Sequence, residues 1–216
     1  MINDIAIYGF GGFGREVQML IEQINEQNSS WNFRGFFDDD EEQWSSDSMY
    51  LGSLKVLNKW PNPIWLVVAI GNPDIKRKIV ESIVNPNVVF PTLIHPNVYI
   101  GKNQNNAIGH GCIVTAGNII TVNTQIGNHV ILNLSSTVGH DTIIGDYCSI
   151  MPGVNISGEV NVGDGVFIGT GAKIINQKNI GSNSILGAGS IVTKDIPANC
   201  TAVGMPAKVI KYNHHD

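Results

Sequence analysis

Every sixth residue from Ile108 onward is aliphatic: Ile108, Val114, Ile120, Ile126, Leu132, Val138, Ile144, Ile150, Ile156, Val162, Ile168, Ile174, Ile180, Leu186 and Val192. A helix repeats its apolar face about every 3.6 residues and a half-buried strand about every two, so a period of six fits neither. It fits a prism in which each flat side takes one hexapeptide and three sides complete a coil. The aliphatic residue then points inward and stacks on its counterpart in the next coil. Glycine follows the aliphatic at 109, 127, 145, 163, 169, 181 and 187, where it is expected to permit the bend between sides. Four places after the aliphatic the residues are mostly small or β-branched, among them Thr124, Ser136, Thr142, Ala172, Ser184 and Ser190. About five coils fit between 108 and 197 on this reading. Ile94 and Ile100 mark an earlier coil, out of phase with the rest, which predicts that the segment from Lys102 to Ala107 bulges outward.

Composition agrees with many short strands and tight turns: charged residues are 14%, aromatic residues 7%, and glycines number 24. A formal net charge of -5 offers nothing to a phosphate backbone, so no nucleic-acid partner is expected. Cys112, Cys148 and Cys200 form no CxxC pair, so neither a disulfide framework nor a zinc site is expected, and no metal is required. No apolar run reaches the roughly 18 residues of a membrane span, so no membrane insertion is expected, and the reading is of a cytoplasmic protein.

Residues 1–87 read differently. Ile5–Tyr8 is a buried strand pattern, followed by Gly9-Phe-Gly11-Gly12-Phe13-Gly14 and then by Val17, Leu20, Ile21 and Ile24 at helical spacing. A second strand, Phe33–Phe37, ends in Asp38-Asp39-Asp40. A third, Ile64–Ile70, is closed by Gly71-Asn72-Pro73, with a helix from Asp74 to about Ser82 and a fourth strand over Val88-Val89-Phe90. This is a small Rossmann-like α/β unit. Its first turn suits phosphate, because glycines let the backbone approach an anion and the helix start points N–H groups at it. Asp38 is placed for a ribose, whether of NAD or of a uridine nucleotide. An NAD(P)-binding oxidoreductase would need a second nucleotide-binding half, and these residues supply one. A non-catalytic β-helical binding protein would leave the pair His140-Asp141 without a purpose.

The whole chain resembles the NeuD/PglD-like sugar acetyltransferases of the hexapeptide-repeat superfamily. The resemblance rests on IYGFGGFGREV, FFDDD, VVAIGNPDIKRKI, FPTLIHP, the hexads with STVGHDTIIG, and the closing ILGAGSIVTKD and VGMPAKV. It implies a left-handed parallel β-helix over 88–216, a homotrimer with active sites between subunits, and transfer of acetyl from acetyl-CoA. The acceptor it implies is a nucleotide-linked amino sugar, held by the first domain, in surface glycan assembly. O-acetylation of a sialic-acid-type sugar is the nearest alternative.

Direct acetyl transfer needs a base for the nucleophile's proton and donors for the developing oxyanion. Spacing alone does not separate His140 from His110. The resemblance selects His140 as the general base, Asp141 as its helper and the Gly158 backbone N–H as oxyanion donor. It puts acetyl-CoA on Ser149, Gly158, Thr170 and Ala188, with Ser149 where some relatives carry histidine. It puts the nucleotide sugar on Gly11, Gly12, Phe13, Asp38, Asp39 and Gly71. Phe13 stands where the family usually has histidine, and stacking on a ligand ring or packing as core are both open to it. His95 is expected to be structural, and His214 and His215 lie in the tail.

Overall fold

The computed structural model describes residues 2–101 and 103–213. Its first domain is a five-stranded parallel sheet. In chain order it runs β1 (Asn3–Tyr8), α1 (Gly12–Gln27), β2 (Trp31–Phe37), α2 (Glu41–Trp44), β3 (Tyr50–Gly52), α3 (Leu54–Leu57), β4 (Ile64–Val68), α4 (Pro73–Ser82) and β5 (Val88–Val89). The strand order is β3-β2-β1-β4-β5, which places the end of the central strand β1 beside β2 and β4 at one edge of the sheet. Such an edge is where open α/β sheets bind ligands. β3, α2 and α3 were not anticipated from the sequence. Asp40 caps α2 by accepting from the Gln43 N–H, so the acidic run after β2 starts a helical turn. β5 pairs with Ile64 and Trp65, and the first strand of the second domain is Leu93–Ile94. Val88–Val89 thus completes the first sheet, and the β-helix strands begin at Leu93.

From Leu93 the chain winds into a left-handed parallel β-helix with three faces. The first face runs Leu93–Ile94, Ile113–Val114, Ile131–Leu132, Ser149–Ile150, Phe167–Ile168, Ile185–Leu186, and ends in Cys200–Val203 with the antiparallel Lys208–Tyr212. The second face starts at Tyr99–Ile100 and the third at Ala107–Ile108. Each two-residue strand pairs with the strand one coil away, as Ile119 with Thr137 and Ile120 with Val138. The inward aliphatics form one continuous buried column. The small residues four places on are buried beside it, and two of their hydroxyls are satisfied by the next coil: Ser136 Oγ donates to Met151 O at 3.1 Å and Thr142 Oγ1 to Ser157 O at 3.1 Å.

The bend between faces is not made where the sequence pattern placed it. The left-handed residue stands three places after the aliphatic: Asn123, His129, Ser135, Asp141, Tyr147 and Glu159 all have φ between 53° and 59°. The glycine directly after the aliphatic serves a different need. A Cβ at Gly169 would come within 2.6 Å of the Ala188 nitrogen, so glycine there permits the close approach of stacked coils. Of the segment expected to bulge, Lys102 lies outside the described residues. Asn106 ties its end down by donating to Thr121 O at 2.7 Å and accepting from Thr124.

The first face is covered by the first domain. Ile113 and Ile131, outward-pointing on that face, belong to the same buried cluster as Val17, Leu20 and Ile21 of α1. Each such side chain contributes about 1.5–3 kcal/mol on burial, so the domains share a core rather than a flexible link. Among the described residues no helix is long and apolar enough to cross a membrane, and no group of three or more His, Cys, Asp or Glu could hold a metal.

Candidate active site

The corner that follows Thr137–Val138 carries His140 and Asp141. Asp141 occupies the left-handed turn position (φ 56°), which throws its carboxylate back alongside the preceding residue. Its Oδ2 lies 2.8 Å from His140 Nδ1. The hydrogen bonds from His140 and Asn123 hold the Asp141 carboxyl below the usual carboxylate range, so it stays ionised and can only accept. Nδ1 is therefore the donor, and Nε2 of the neutral ring carries the lone pair. Both side chains are about half exposed, 56% and 49%. One coil further on, Gly158 is buried under the imidazole, and a Cβ there would collide with its Nε2 edge. The Gly158 N–H makes no hydrogen bond among the described residues. At the neighbouring corner the equivalent N–H groups are taken, Asn128 N by Asp146 Oδ1 at 2.7 Å and Asp146 N by Asp164 Oδ1 at 2.9 Å.

The other described histidines are occupied elsewhere. His95 Nδ1 accepts from Asn97 N at 2.9 Å. His129 is 2% exposed, stacked on Tyr147 at 5.3 Å, and burial pushes its pKa down to about 4. His110 lies edge-on to His129 at 5.1 Å and has no carboxylate partner among the described residues. The geometry thus separates His140 from His110 where spacing did not. His214 and His215 lie outside the described residues.

Thr170 and Ala188 are exposed and stacked at the corner after the first face, one coil apart. That corner and the His140 corner stand on opposite sides of the second face, so one chain does not bring the two sets together. Ser149 is placed differently from either. It is wholly buried, and its Oγ accepts from Lys76 Nζ at 3.0 Å, so in this chain it presents no surface to a thioester.

In the first domain, Gly11 is the N-cap of α1 and has no side chain with which to cap it. Added Cβ atoms at Gly11, Gly12 and Gly71 would meet nothing within 4 Å, so these glycines border open space. Gly9 is different, with φ at 106° and a Cβ that would press on the Ala69 carbonyl at 3.0 Å. Asp38 Oδ2 accepts from Phe10 N at 2.8 Å and its Oδ1 from Asp40 N at 2.9 Å, which fixes the glycine loop against the end of β2. Asp39 accepts from Tyr8 Oη at 2.7 Å and from Leu54 N at 2.9 Å. Burial and this carboxylate keep the Tyr8 phenol protonated. Phe13 is half-buried and packs on the first-domain core. Beside Gly71 opens a cleft of about 450 Å³, lined by Asn72, Pro73 and Asp74 from the first domain and by Gly165, Phe167, Asn183 and Ile185 from the β-helix. The Asn183 Oδ1 is buried without a hydrogen-bond partner among the described residues.

Two residues of this region were not singled out from the sequence. Lys76, 1% exposed, donates to Cys148 O at 3.1 Å and to Ser149 Oγ, and burial pushes its pKa down to about 7. Asn123 sits one coil before Asp141 and donates to its Oδ1 at 3.1 Å. The fixed coil length was the available signal for Asn123; nothing local marks Lys76.

The PglD N-terminal domain family matches residues 4–83. Over nearly the whole chain the structure is similar to the acetyltransferase domain of PglB from Neisseria gonorrhoeae, with 30% identity, a TM-score of 0.85, and coverage of 96% of this chain and 100% of that one. WeeI from Acinetobacter baumannii is also 30% identical, with a TM-score of 0.84 over 97% of this chain and 100% of that one. PerB from Caulobacter crescentus, solved with CoA and GDP-perosamine, is 28% identical, with a TM-score of 0.83 over 98% and 99%. No curated protein matches the sequence at a significant level. A front domain of the PglD type, joined to a left-handed β-helix and matched end to end by these enzymes, places the chain in the NeuD/PglD-like family of sugar acetyltransferases.

Proposed function

We propose that the protein is an acetyl-CoA-dependent N-acetyltransferase whose acceptor is a nucleotide-linked amino sugar, with His140 as general base. The observation that carries this reading is the pairing of His140 Nδ1 with an ionised Asp141, which leaves Nε2 basic and exposed above the free Gly158 N–H. Nε2 takes the proton as the sugar amine attacks the thioester carbonyl. The new imidazolium is stabilised by Asp141. The oxyanion forms beside the Gly158 N–H, a donor shielded from water and lacking a competing acceptor. Collapse of the adduct expels the CoA thiolate, which recovers the proton from the imidazolium as free thiol. No metal and no covalent enzyme intermediate enters.

The open start of α1, with Gly11 and Gly12 uncovered, suits the diphosphate, and Asp38 and Asp39 at the end of β2 suit the ribose side. Similar PerB binds GDP-perosamine, an amino-sugar nucleotide. Thr170 and Ala188 are the proposed acetyl-CoA contacts, on an edge separate from His140. A homotrimer reconciles the two, one subunit's Thr170 edge facing its neighbour's His140 edge. Apolar Tyr99, Ile119, Ile143 and Ile175, all exposed on the second and third faces around His140, are suited to such packing. The setting that fits is the cytoplasmic stage of surface glycan assembly, where activated sugars and acetyl-CoA meet.

The test is release of CoA thiol from acetyl-CoA by purified protein with UDP-, GDP- and dTDP-linked amino sugars. Turnover with at least one of them, lost in His140→Ala, is the expected result. Release with none of them, or an undiminished rate in His140→Ala, would overturn the reading. A monomer at micromolar concentration would overturn the shared site.

A further inference from the structure

We propose that Asn123 is a positioning residue for the base: it holds the Asp141 carboxylate in the orientation that fixes His140 as the Nδ1–H tautomer. The inference rests on the reading of His140 given above. Asn105, Asn123 and Asp141 occupy the same left-handed turn position on three successive coils, with φ of 52°, 56° and 56°. Backbone bonds hold the register, Asn123 N to Gln104 O at 2.8 Å and Asp141 N to Val122 O at 3.0 Å. The side chains therefore stack along the corner. Asn105 Nδ2 donates to Asn123 Oδ1 at 3.4 Å, and Asn123 Nδ2 donates to Asp141 Oδ1 at 3.1 Å. With Asn123 Oδ1 engaged as an acceptor, the amide is oriented so that its NH₂ faces Asp141.

The carboxylate is thereby divided between two donors. Oδ1 is held by Asn123 and Oδ2 receives His140 Nδ1. A carboxylate on an exposed corner with one partner rotates freely, and its partner imidazole samples both tautomers. Two fixed donors remove that rotation. The second carboxylate of the corner, Glu159, is one coil on from Asp141 at φ 58°. It accepts from Gln177 Nε2 at 3.1 Å, which draws it toward the following coil. The corner thus places an amide on the outer side of each acid and leaves Asp141 facing the imidazole.

Nitrogen-15 NMR of the imidazole in the full-length protein reads the tautomer directly and needs no acceptor sugar. Asn123→Gly is the informative variant, because glycine takes the left-handed turn without strain and removes only the amide. Its His140 ring is expected to lose the preference for Nδ1–H, and the Asp141 carboxyl is expected to titrate at higher pH than in the parent. Its kcat is expected to fall about 3- to 10-fold with both KM values unchanged, the loss due to one exposed charge-assisted hydrogen bond. Asn123→Asp places a like charge beside Asp141 and is expected to lower kcat further. In an Asp141→Ala background Asn123→Gly is expected to cost nothing more, and Gln177→Ala alone is expected to leave the His140 signals unchanged. Parent-like tautomer signals and kcat in Asn123→Gly, with His140→Ala inactive, would overturn this proposal alone. A fully active His140→Ala would overturn the base assignment beneath it.

Discussion

Two corners of the same prism show what the repeat determines and what it leaves open. The corner between the third and first faces carries His129 and Tyr147, and the corner between the second and third carries His140 and Asp141. Both turn through the same left-handed position, since His129, Asp141 and Tyr147 have φ of 53°, 56° and 59°. Yet α4 covers the first corner. Arg77 lies 5.0 Å over the Tyr147 ring, Tyr147 stacks on His129, and Lys76 reaches Cys148 and Ser149. The His140 corner faces open space. The hexapeptide sets the position of a side chain, and what covers it decides whether that side chain packs or reacts.

Exchanging the consequences of the two histidines is the largest test of that difference. His140→Ala is expected to lower kcat by about 10²- to 10⁴-fold, the range of a lost general base, with the melting temperature nearly unchanged. His129→Ala is expected to keep its rate per folded molecule and to lose about 2–4 kcal/mol of stability, since it empties a wholly buried site. Rates of thiol release beside thermal melts of both variants decide it; a His129→Ala enzyme that is stable and inactive would break the comparison.

Glycines divide the same way. At Gly158 an added methyl meets the imidazole of His140, and at Gly169 it meets the backbone of Ala188. A side chain can swing aside and a neighbouring coil cannot. Gly158→Ala is therefore expected to displace the base and reduce kcat by about 10²-fold or more at a modest cost in stability. Gly169→Ala is expected to lower stability by about 1–3 kcal/mol, as overpacking does, and to leave kcat of the folded protein intact, any functional loss falling on KM for acetyl-CoA because the strained coil carries Ala188. Chemical denaturation read alongside kcat separates the two outcomes.

Much of this second domain was legible in the sequence because its signal is long-range and regular. A misplaced residue cannot hide in a column of fifteen inward aliphatics. The first domain was legible only in its long elements. β3 has three residues and α2 and α3 four each, too short to show a period, and all three were missed. His140 and Asp141 were singled out by the family resemblance, since spacing alone left His140 level with His110, and their side chains meet at 2.8 Å. Ser149 was misjudged because its partner Lys76 is 73 residues away, and no local pattern says that a helix covers the first face. Phe13 packs on the first core while one side stays open, an arrangement set by tertiary contacts that no local pattern shows.

Lys76 gives the smallest effect and the one most specific to the covered corner. Its amine is buried with two oxygen acceptors and, among the described residues, no carboxylate within ion-pair reach. Burial lowers its pKa from the ordinary 10.5 to about 7. Between those values the unfolded chain binds a proton that the folded one does not, so stability must rise with pH across that window and level off below it. For one group the slope is at most about 1.4 kcal/mol per pH unit, and other titrations overlap it. Lys76→Met keeps the buried methylene stem and removes the titration. Urea unfolding at pH 7, 8 and 9 is expected to show a rising midpoint in the parent and a flatter one in the variant. An equally steep rise in both would mean that the amine is solvated and the corner is not sealed. Its chemistry would then have to be sought in side chains, as at His140, rather than in what lies over them.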